Sequence, residues 1–445
     1  MAWNEAQWER NAQRLPKFLS PLVQDLGRSE RRVGATLYVE GLLMPGQRKS
    51  IGPMAERLGV DSQRLQQFIT DSPWEESAIW KAIRPLAADC LEPLEAWIVD
   101  ETSWLKQGEH SVGVAHQYCG AAGKSANCQV NVQVAITDGL VAVPVGAQLY
   151  LPESWTKDRA RCREAGVPDE VGFATKPQIA LNLIQAVLAD GVARAPVLGD
   201  NAYGINGEFR DGVRALGMEF FLQVDPSQLN GWAQSVALEK KRTRWHVAAN
   251  VPAPLSLLKV FAAHKAVKWR PCSWKAADGQ TRHTRLAWMK VYLPGALDRG
   301  AQTLEEVWLV VDWPEGAAEA YHYYLAHLHR EPTLARCLRL SRSRWQIEQY
   351  FQRGKDDLGL DHFEGRSWRG FHHHLVLAVL AYLFVVVVFL DAKKNSWCDV
   401  GAGVEEDASV AAEVNRLLLE GVTKVFATCS KRRGCVQNCG VGHCR

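Results

Sequence analysis

The sequence predicts a mixed α/β protein in which a helical N-terminal region precedes alternating strands and helices. Two short apolar runs, at residues 96–99 and 195–198, are followed closely by a carboxylate, which is typical of buried strands that present an acid at their C-terminal ends. Residues 342–355 carry apolar side chains at helical spacing and predict an amphipathic helix. The sixteen apolar residues 375–390 are too few for a typical membrane span and predict a buried core helix.

Composition and charge describe an ordinary globular protein. The chain has 445 residues, 47% hydrophobic and 23% charged, which is enough for a large core and two or three domains. Its formal net charge of +3 does not indicate nucleic-acid binding, so any contact with DNA must come from local patches. The charged start lacks a secretory apolar segment, and the eleven cysteines show no disulfide-framework spacing. We therefore expect a cytoplasmic protein with no membrane segment.

Residues 1–92 are predicted to be helical, with a helix–glycine–helix pattern at 50–69 that is similar to a helix-turn-helix. Ser50 is expected to cap the first of these helices, and Asp61 or Ser62 the second. The polar side chains that then face outward could read base edges or phosphates in a DNA groove; they include Gln63, Arg64 and Gln67. A plain helical hairpin is the alternative, because the segment holds twelve basic and twelve acidic residues and creates no strong positive field.

The middle of the chain predicts two groups of strands separated by a helix. Strands are expected at 112–118, 129–136 and 141–149, then a helix at 177–188, then the strand that precedes Asp200. Further strands are expected at 267–270, 284–292 and 305–312. The distance along the chain from Asp200 to Glu348 is long, so a β-rich insertion is predicted between them.

Three acids from separate segments form the candidate site. Asp100 and Asp200 follow apolar strands, while Glu348 lies on the predicted helix in one stripe with Arg344 and Lys355. Three such carboxylates can converge on a pair of divalent cations, and the flanking cations can hold phosphate. An exposed helix with ordinary pairing between residues four apart is the alternative. Glu101 competes with Asp100 for the first position.

These stretches resemble the DDE transposases of the IS4-like group, and most closely the IS701-type insertion-sequence transposases. Residues 106–118, 123–130 and 358–368 share the resemblance, which covers roughly residues 30–390. The group carries a Tyr, Arg, Glu and Lys signature on its last catalytic helix. The Arg, Glu and Lys fit at Arg344, Glu348 and Lys355, while Ser341 stands in place of the Tyr.

The resemblance implies an RNase H-like catalytic core with an inserted β-rich subdomain and an N-terminal helical domain. The implied layout is a DNA-binding domain at 1–92, core segments at 93–225 and 336–392, the insertion at 226–335 and a tail at 393–445. The implied activity is to cut the ends of an insertion sequence and join them to target DNA. Two Mg²⁺ ions, for which Mn²⁺ can substitute, are expected on Asp100, Asp200 and Glu348.

The resemblance also implies partners and contacts. Double-stranded DNA is the expected partner, bound by a homodimer at the transposon ends within the bacterial nucleoid. Phosphate contacts are expected from Arg344, Lys355, Arg366 and Arg369, the last two in a loop after the catalytic helix. Three other interpretations stay open: a metal-dependent nuclease without strand transfer, a transposon-derived DNA-binding protein without catalysis, and a helix-rich regulator with structural acids.

Two further clusters predict no site. The consecutive histidines at 372–374 cannot share one helix face as metal ligands do. The C-terminal cysteines lack the close pairs of a structural zinc site, so zinc is not expected; they are Cys429, Cys435, Cys439 and Cys444.

Overall fold

A computed structural model describes residues 5–44, 46–275, 280–320 and 322–398. The predicted C-terminal tail beyond residue 398, with its four cysteines, lies outside the described residues. The helices are α1 (Glu5–Leu22), α2 (Ser29–Leu43), α3 (Ile51–Leu58), α4 (Ser62–Thr70), α5 (Glu76–Cys90), α6 (Glu153–Thr156), α7 (Arg159–Glu164), α8 (Lys176–Ala189), α9 (Asn201–Gly204), α10 (Gly207–Ala215), α11 (Leu257–Ala263), α12 (Gly295–Asp298), α13 (Leu334–Ser343), α14 (Trp345–Asp356) and α15 (Trp368–Cys398). The strands are β1 (Ala96–Leu105), β2 (Ala115–Cys119), β3 (Lys124–Thr137), β4 (Ala142–Leu149), β5 (Val197–Gly199), β6 (Phe220–Val224), β7 (Asn230–Gly231), β8 (Leu238–Lys241), β9 (Arg244–Val247), β10 (Leu255–Ser256), β11 (Arg270–Lys275), β12 (Thr281–Leu293), β13 (Glu305–Pro314) and β14 (His322–His327).

One mixed sheet forms the centre of the described structure. Its strands run in the order β11-β12-β13-β14-β6-β5-β1-β3-β2, and β4 also pairs with β3. Strands β4, β3 and β1 are antiparallel neighbours, whereas β1, β5 and β6 run parallel to one another. Parallel strands need crossover connections, and α8 and α10 lie in these crossovers.

The predicted β-rich insertion contributes four strands to this same sheet. Strand β14 pairs antiparallel with β6, and β13, β12 and β11 follow outward. Strand β11 begins at Arg270, which is where the strand predicted at 267–270 ended. Helix α11 and a turn occupy the residues before it. The boundaries of a separate domain at 226–335 stay a prediction.

Strand β1 continues past the point where the sequence predicted its end. The apolar run stops at Val99, but pairing with β3 continues over ten residue pairs to Leu105. Pairing with β5 on the other side stops after Ile98. Asp100 therefore lies inside a strand, just beyond the last parallel pair, and the prediction that it ends the strand was wrong.

The helix predicted over residues 342–355 is interrupted at Arg344. Helix α13 ends at Ser343 and α14 begins at Trp345, although the backbone of Arg344 keeps helical angles. The hydroxyl of Ser343 donates to a carbonyl four residues back, and that of Ser341 to one three residues back. Such hydrogen bonds compete with the helix ladder and bend helices, which explains the break.

Helix α15 forms the centre of the core, as the sequence predicted. Its segment Trp368–Asp391 is long and apolar enough to cross a membrane, but 83% of its apolar window is buried inside the structure. The N-terminal helices α2, α4 and α5 pack on it, and so does β4. The N-terminal region and the sheet thus share one hydrophobic core through this helix.

The consecutive histidines, for which the sequence predicted no site, attach α15 to its neighbours. The His373 ring contacts the carbonyl of Trp74 at 2.7 Å and stacks on that indole. His374 accepts a hydrogen bond from the Tyr38 hydroxyl at 2.8 Å and donates one to the carbonyl of Leu360 at 3.1 Å. Burial keeps the His374 ring neutral, and the neutral ring donates from the nitrogen that faces Leu360 and accepts at the nitrogen that faces Tyr38.

Acid should therefore weaken the fold through His374. Burial lowers the pKa of His374 to about 4, below its unfolded value of about 6.5. The neutral ring thus stabilises the fold above pH 6.5, and this contribution, on the order of 3 kcal/mol at most, is lost as the pH falls towards 4. Urea unfolding at pH 7.5, 6 and 5 should show a shallower loss for His374→Gln than for the wild type. His116→Gln, at an exposed histidine, should keep the wild-type pH dependence; equal slopes for all three proteins would contradict the assignment.

Candidate active site

The three predicted acids come from three different elements of the sheet and its flanking helices. Asp100 lies in β1, and Asp200 follows β5 directly. The Asp200 carboxylate caps the short helix α9 by accepting the backbone N–H of Ala202 at 2.9 Å. Glu348 lies in the first turn of α14. Neighbouring parallel strands thus carry two of the acids, and the helix that follows the outer strands carries the third.

Arg344 is the cation that connects two of these acids, Asp100 and Glu348. One guanidinium nitrogen lies 3.6 Å from Oδ2 of Asp100, and another donates to Oε1 of Glu348. Burial lowers the pKa of Arg344, but the charges of Glu348, Asp100 and Asp200 outweigh it and raise the pKa overall. The pairing of Arg344 with Glu348 matches the alternative interpretation of the helix. The contact with Asp100, 244 residues away along the chain, goes beyond that interpretation.

The pKa values of Asp100 and Asp200 are both raised, so their charged forms are disfavoured. Burial raises the pKa of Asp100 to about 8, and the charges of Asp200 and Glu101 add to this effect while Arg344 opposes it. Burial and the charge of Glu101 likewise raise the pKa of Asp200. Crowded, buried carboxylates of this kind resist ionisation until a cation arrives.

Glu101 and Asp100 lie on opposite faces of the sheet, which distinguishes the two candidates for the first position. In the ladder between β1 and β3, Asp100 lies opposite Gln133, and its neighbour points the other way. Glu101 accepts hydrogen bonds from Lys176 at 2.6 Å and from the buried Tyr203 hydroxyl at 2.9 Å. Glu101 therefore already has two donors on the α8 face, whereas Asp100 faces the helix that carries Glu348. The sequence contained no signal that pointed to Lys176 or Tyr203.

Three of the residues that were predicted to contact phosphate lie at different places in the fold. Lys355 is partly buried, and its ammonium donates to the carbonyl of Ser103 in β1 at 3.1 Å. Arg366 is exposed in the segment before α15. Arg369 is exposed in the first turn of α15, not in a loop as predicted, and donates to the carbonyl of Asp71 at 3.4 Å. Arg369 thus lies against the N-terminal helices.

The predicted helix–glycine–helix is present as α3 and α4. Gly59 ends α3 in the left-handed conformation, and the Asp61 side chain caps α4 by accepting the N–H of Gln63 at 2.9 Å. The polar side chains Gln63, Arg64 and Gln67 are exposed, while the opposite face of α4 is buried. The Ser50 side chain makes no capping hydrogen bond to α3, so that part of the prediction was wrong.

The turn after Asp200 is held by groups that the sequence analysis did not identify. Gly204 closes α9, and a Cβ at this position would overlap the carbonyl oxygen of Gln223, so only glycine fits. The buried Arg210 donates to the Gly204 carbonyl at 2.6 Å and forms a bidentate pair with the buried Glu305 at 2.7 Å. The buried charge pair thus fixes the turn that carries Asp200.

No metal-ligand cluster is preformed in the described part of the chain. Nowhere in residues 5–44, 46–275, 280–320 and 322–398 do three His, Cys, Asp or Glu side chains lie close enough together to hold one ion. Two of the acids, Asp100 and Glu348, instead contact the guanidinium of Arg344.

We expect Asp100→Asn to stabilise the fold at pH 7 when divalent cations are absent. The folded-state pKa of about 8 lies above the unfolded value of about 3.9, so the acid destabilises the fold as the pH rises between these values. The substitution should raise the free energy of unfolding by on the order of 1–4 kcal/mol at pH 7, and the gain should vanish near pH 4.

Asp190→Asn serves as the control in the same urea titrations. Asp190 pairs with the buried Arg84, so its substitution should lower stability at pH 7. A loss of stability in Asp100→Asn as well would show that the carboxylate of Asp100 is well compensated.

Comparison with known proteins identifies the family of the chain. A family described as DDE superfamily endonuclease matches residues 21–283, more than half of the chain; this range includes Asp100 and Asp200 and ends before α14. The chain is also 29% identical over 171 residues to a protein of Microchaete diplosiphon described as "Probable transposase for insertion sequence element IS701". That match covers 38% of this chain and 42% of the relative. Both findings confirm the predicted resemblance to IS701-type DDE transposases.

Proposed function

The chain belongs to the DDE superfamily endonucleases, and from this premise we propose that it is a transposase that cuts the ends of an insertion sequence and joins them to target DNA. The observation that carries the proposal is that Arg344 contacts both Asp100 and Glu348, while the charge of Asp200, at the end of the neighbouring strand, also raises the pKa of Arg344. Acids from a strand, a strand end and a distant helix have no local reason to meet. Their meeting is what a phosphodiester-cleaving site requires.

The order of strands supports an RNase H-like catalytic core. Antiparallel β4, β3 and β1 followed by parallel β5 and β6 form its five central strands. Strands β11–β14 extend the sheet on the far side of β6 as the proposed β-rich insertion, and α14 returns to the acids. The N-terminal helices form the proposed DNA-binding domain.

The donor chemistry of the acids fits two divalent cations, Mg²⁺ or Mn²⁺, held by Asp100, Asp200 and Glu348. Hard cations prefer carboxylate oxygens, and burial together with neighbouring acids raises the pKa values of Asp100 and Asp200, so a bound cation would stabilise their charged forms. When bound, such ions activate an attacking oxygen and stabilise negative charge on the phosphate. The residues of the chain orient the acids: β1 and the capped turn of α9 fix the two aspartates, and the Arg344 side chain holds Glu348 towards them.

We further propose that the cations around the acids contact DNA phosphates. Arg344 can exchange a carboxylate for the scissile phosphate, and the ammonium of Lys355 lies farther along β1, at the carbonyl of Ser103. Arg369 lies against the N-terminal helices and Arg366 is exposed before α15, and both are proposed to contact the same duplex farther from the cut. The outward side chains of α4 at Gln63, Arg64 and Gln67 are proposed to recognise the end sequence, bound by a homodimer in the cytoplasm.

A metal-dependent nuclease without strand transfer is the second candidate, favoured by the endonuclease description of the family. The two activities share the acids and differ only in whether the cut end is joined to a second duplex. One assay that follows both nicking and joining therefore distinguishes them.

Glu348→Gln should abolish both steps while the protein stays folded. The amide keeps the shape of the side chain but is a poor ligand for a hard cation, so nicking should fall by roughly 100-fold or more. The substrate is a duplex that carries the DNA flanking the gene, incubated with Mg²⁺ and a target plasmid. Glu95→Gln, at an acid paired with the exposed Arg339, is the matched control and should cut normally.

The outcomes of this assay separate the proposals. Nicking without joining in the wild type would favour the nuclease. Normal nicking by Glu348→Gln would remove Glu348 from the site.

Arg344→Ala and Lys355→Ala should each weaken binding of the end duplex. If each side chain contacts one phosphate, the slope of log affinity against log salt concentration should fall by about one per substitution. Arg339→Ala, which removes an exposed cation from the neighbouring α13, should leave the slope unchanged. An unchanged slope with a lower melting temperature for Arg344→Ala would mean that Arg344 serves only as the counter-charge of the acids.

A further inference from the structure

A cleft of about 410 Å³ separates the N-terminal helices from the segment that follows α14. Its lining includes Ser50, Gly52, Ser62, Gln63, Gln66 and His362. None of the three acids lines it, so the cleft is distinct from the proposed active site. Nearly all of these lining groups can donate a hydrogen bond.

Ser50 is the most informative of the lining residues. It occupies the N-cap position of the eight-residue helix α3, where a serine hydroxyl normally accepts a backbone N–H of the first turn. This hydroxyl makes no capping bond and has no hydrogen-bond partner within the ranges that the structure describes, although only 6% of the residue is exposed. The hydroxyl oxygen is open to the cleft and is not sealed from solvent, so it is free to form a hydrogen bond with a group bound there.

The first turn of α3 is open towards the cleft. A Cβ at Gly52 would meet no atom within 4 Å. The N–H groups at the start of a helix have no partner inside the helix and carry the positive end of its dipole. Together with the free hydroxyl of Ser50, they form a binding position for an anion.

The opposite wall adds a further donor. The Nδ1 atom of His362 accepts the backbone N–H of Lys49 at 3.0 Å, so in the neutral ring Nε2 carries the proton. This imidazole lines the cleft opposite α3 and α4, and its Nε2 lies 3.8 Å from a carboxylate oxygen of Asp361, beyond hydrogen-bonding distance. Donors therefore come from both sides of the cleft.

The charges around the cleft favour an anion over a cation. The buried Lys49 donates to the carbonyl of Met44, and Lys106 donates to that of Phe363, so both ammonium groups are bound to backbone oxygens. On the rim, Glu364 pairs with Arg48.

Three acids oppose an anion in the cleft. Glu364 lines the cleft, Asp361 and Glu364 both lie near Lys106, and Asp61 caps α4. The charges of Arg48, Lys49 and Lys106 offset these acids, and donors at a helix N-terminus then favour a phosphate group.

We propose that this cleft binds a phosphate group, and that on the proposed function this is a phosphate of the DNA backbone next to α4. A phosphate seated at the start of α3 would fix the position of α4 on the duplex, as phosphate contacts do in other DNA-binding proteins. The cleft is also bounded by the segment after α14, so the same contact would relate the bound duplex to the helix that carries Glu348.

Ser50→Asp tests the proposal because it separates folding from binding. Aspartate is a good N-cap and favours the helix dipole, so the melting temperature should stay constant or rise. Its charge would repel phosphate, so affinity for the end duplex should fall by about 10-fold or more. Ser256→Asp is the matched control, because Ser256 is the N-cap of α11, also makes no capping bond and lies outside the cleft.

Inorganic phosphate is the second probe, and it does not depend on DNA. In protein labelled with ¹⁵N-glycine, phosphate should shift the amide signal of Gly52 in the wild type and in Ser256→Asp but not in Ser50→Asp. Ser50→Ala, which keeps the fold without adding charge, should weaken the shift and serves if the aspartate variant does not fold.

The outcomes distinguish the possible sources of the phosphate. A shift together with weaker DNA binding by Ser50→Asp supports the full proposal. A shift with unchanged DNA affinity would overturn the DNA assignment and leave a site for free phosphate. A shift in a protein that binds no DNA would contradict the proposed function but not the site. The absence of any shift, with equal DNA binding by both aspartate variants, would overturn the proposal.

Discussion

The burial of helix α15 is the constraint on which the rest of the structure depends. Its side chains between Leu375 and Val386 are almost fully covered, and each such large apolar side chain contributes about 1.5–3 kcal/mol relative to exposure. The cover comes from α2, α4 and α5 on one side and from β4 on the other. The N-terminal helices are thus a wall of the core, and their removal would expose the most apolar segment of the chain. The hydrogen bonds of His373 and His374 fix the relative position of these parts.

The packing of α15 determines where the charged residues of the candidate site lie. Helix α14 precedes α15 along the chain, so the packing of α15 sets the position of Glu348 against β1. Asp100 and Asp200 are then crowded and poorly solvated, and Arg344 compensates them only in part. A site of this kind is less stable than an uncharged alternative and is ready for a cation, which is a common relation between stability and function. Buried groups such as Arg210 and Glu305 hold the turn of Asp200 despite this repulsion.

Local patterns predicted most elements of the fold. Alternating apolar residues indicated β2, β3, β4, β12 and β13, and helical spacing indicated α8 and α14, because these signals depend on neighbours along the chain. The predictions failed where residues far apart along the chain determine the local structure. Strand β1 continues past Asp100 because β3 pairs with it, and the bend at Arg344 depends on the serine hydroxyls before it. The joining of β14 to β6 in one sheet could not be read from either segment alone.

The sequence by itself determined which residue types carry chemistry and where on an element each lies: an acid after each apolar strand, a glutamate on an amphipathic helix, and a glycine between two short helices. It also contained the resemblance that the family comparison confirmed. Only the tertiary structure decided that Asp100 faces Arg344 while Glu101 faces Lys176, and that the ammonium of Lys355 binds a carbonyl of β1. It also decided that the hydroxyl of Ser50 faces a cleft without a partner. The physical reason is that periodicity is a property of neighbours along the chain. The environment of a charge or a hydroxyl is set by residues that are close in space but distant in sequence.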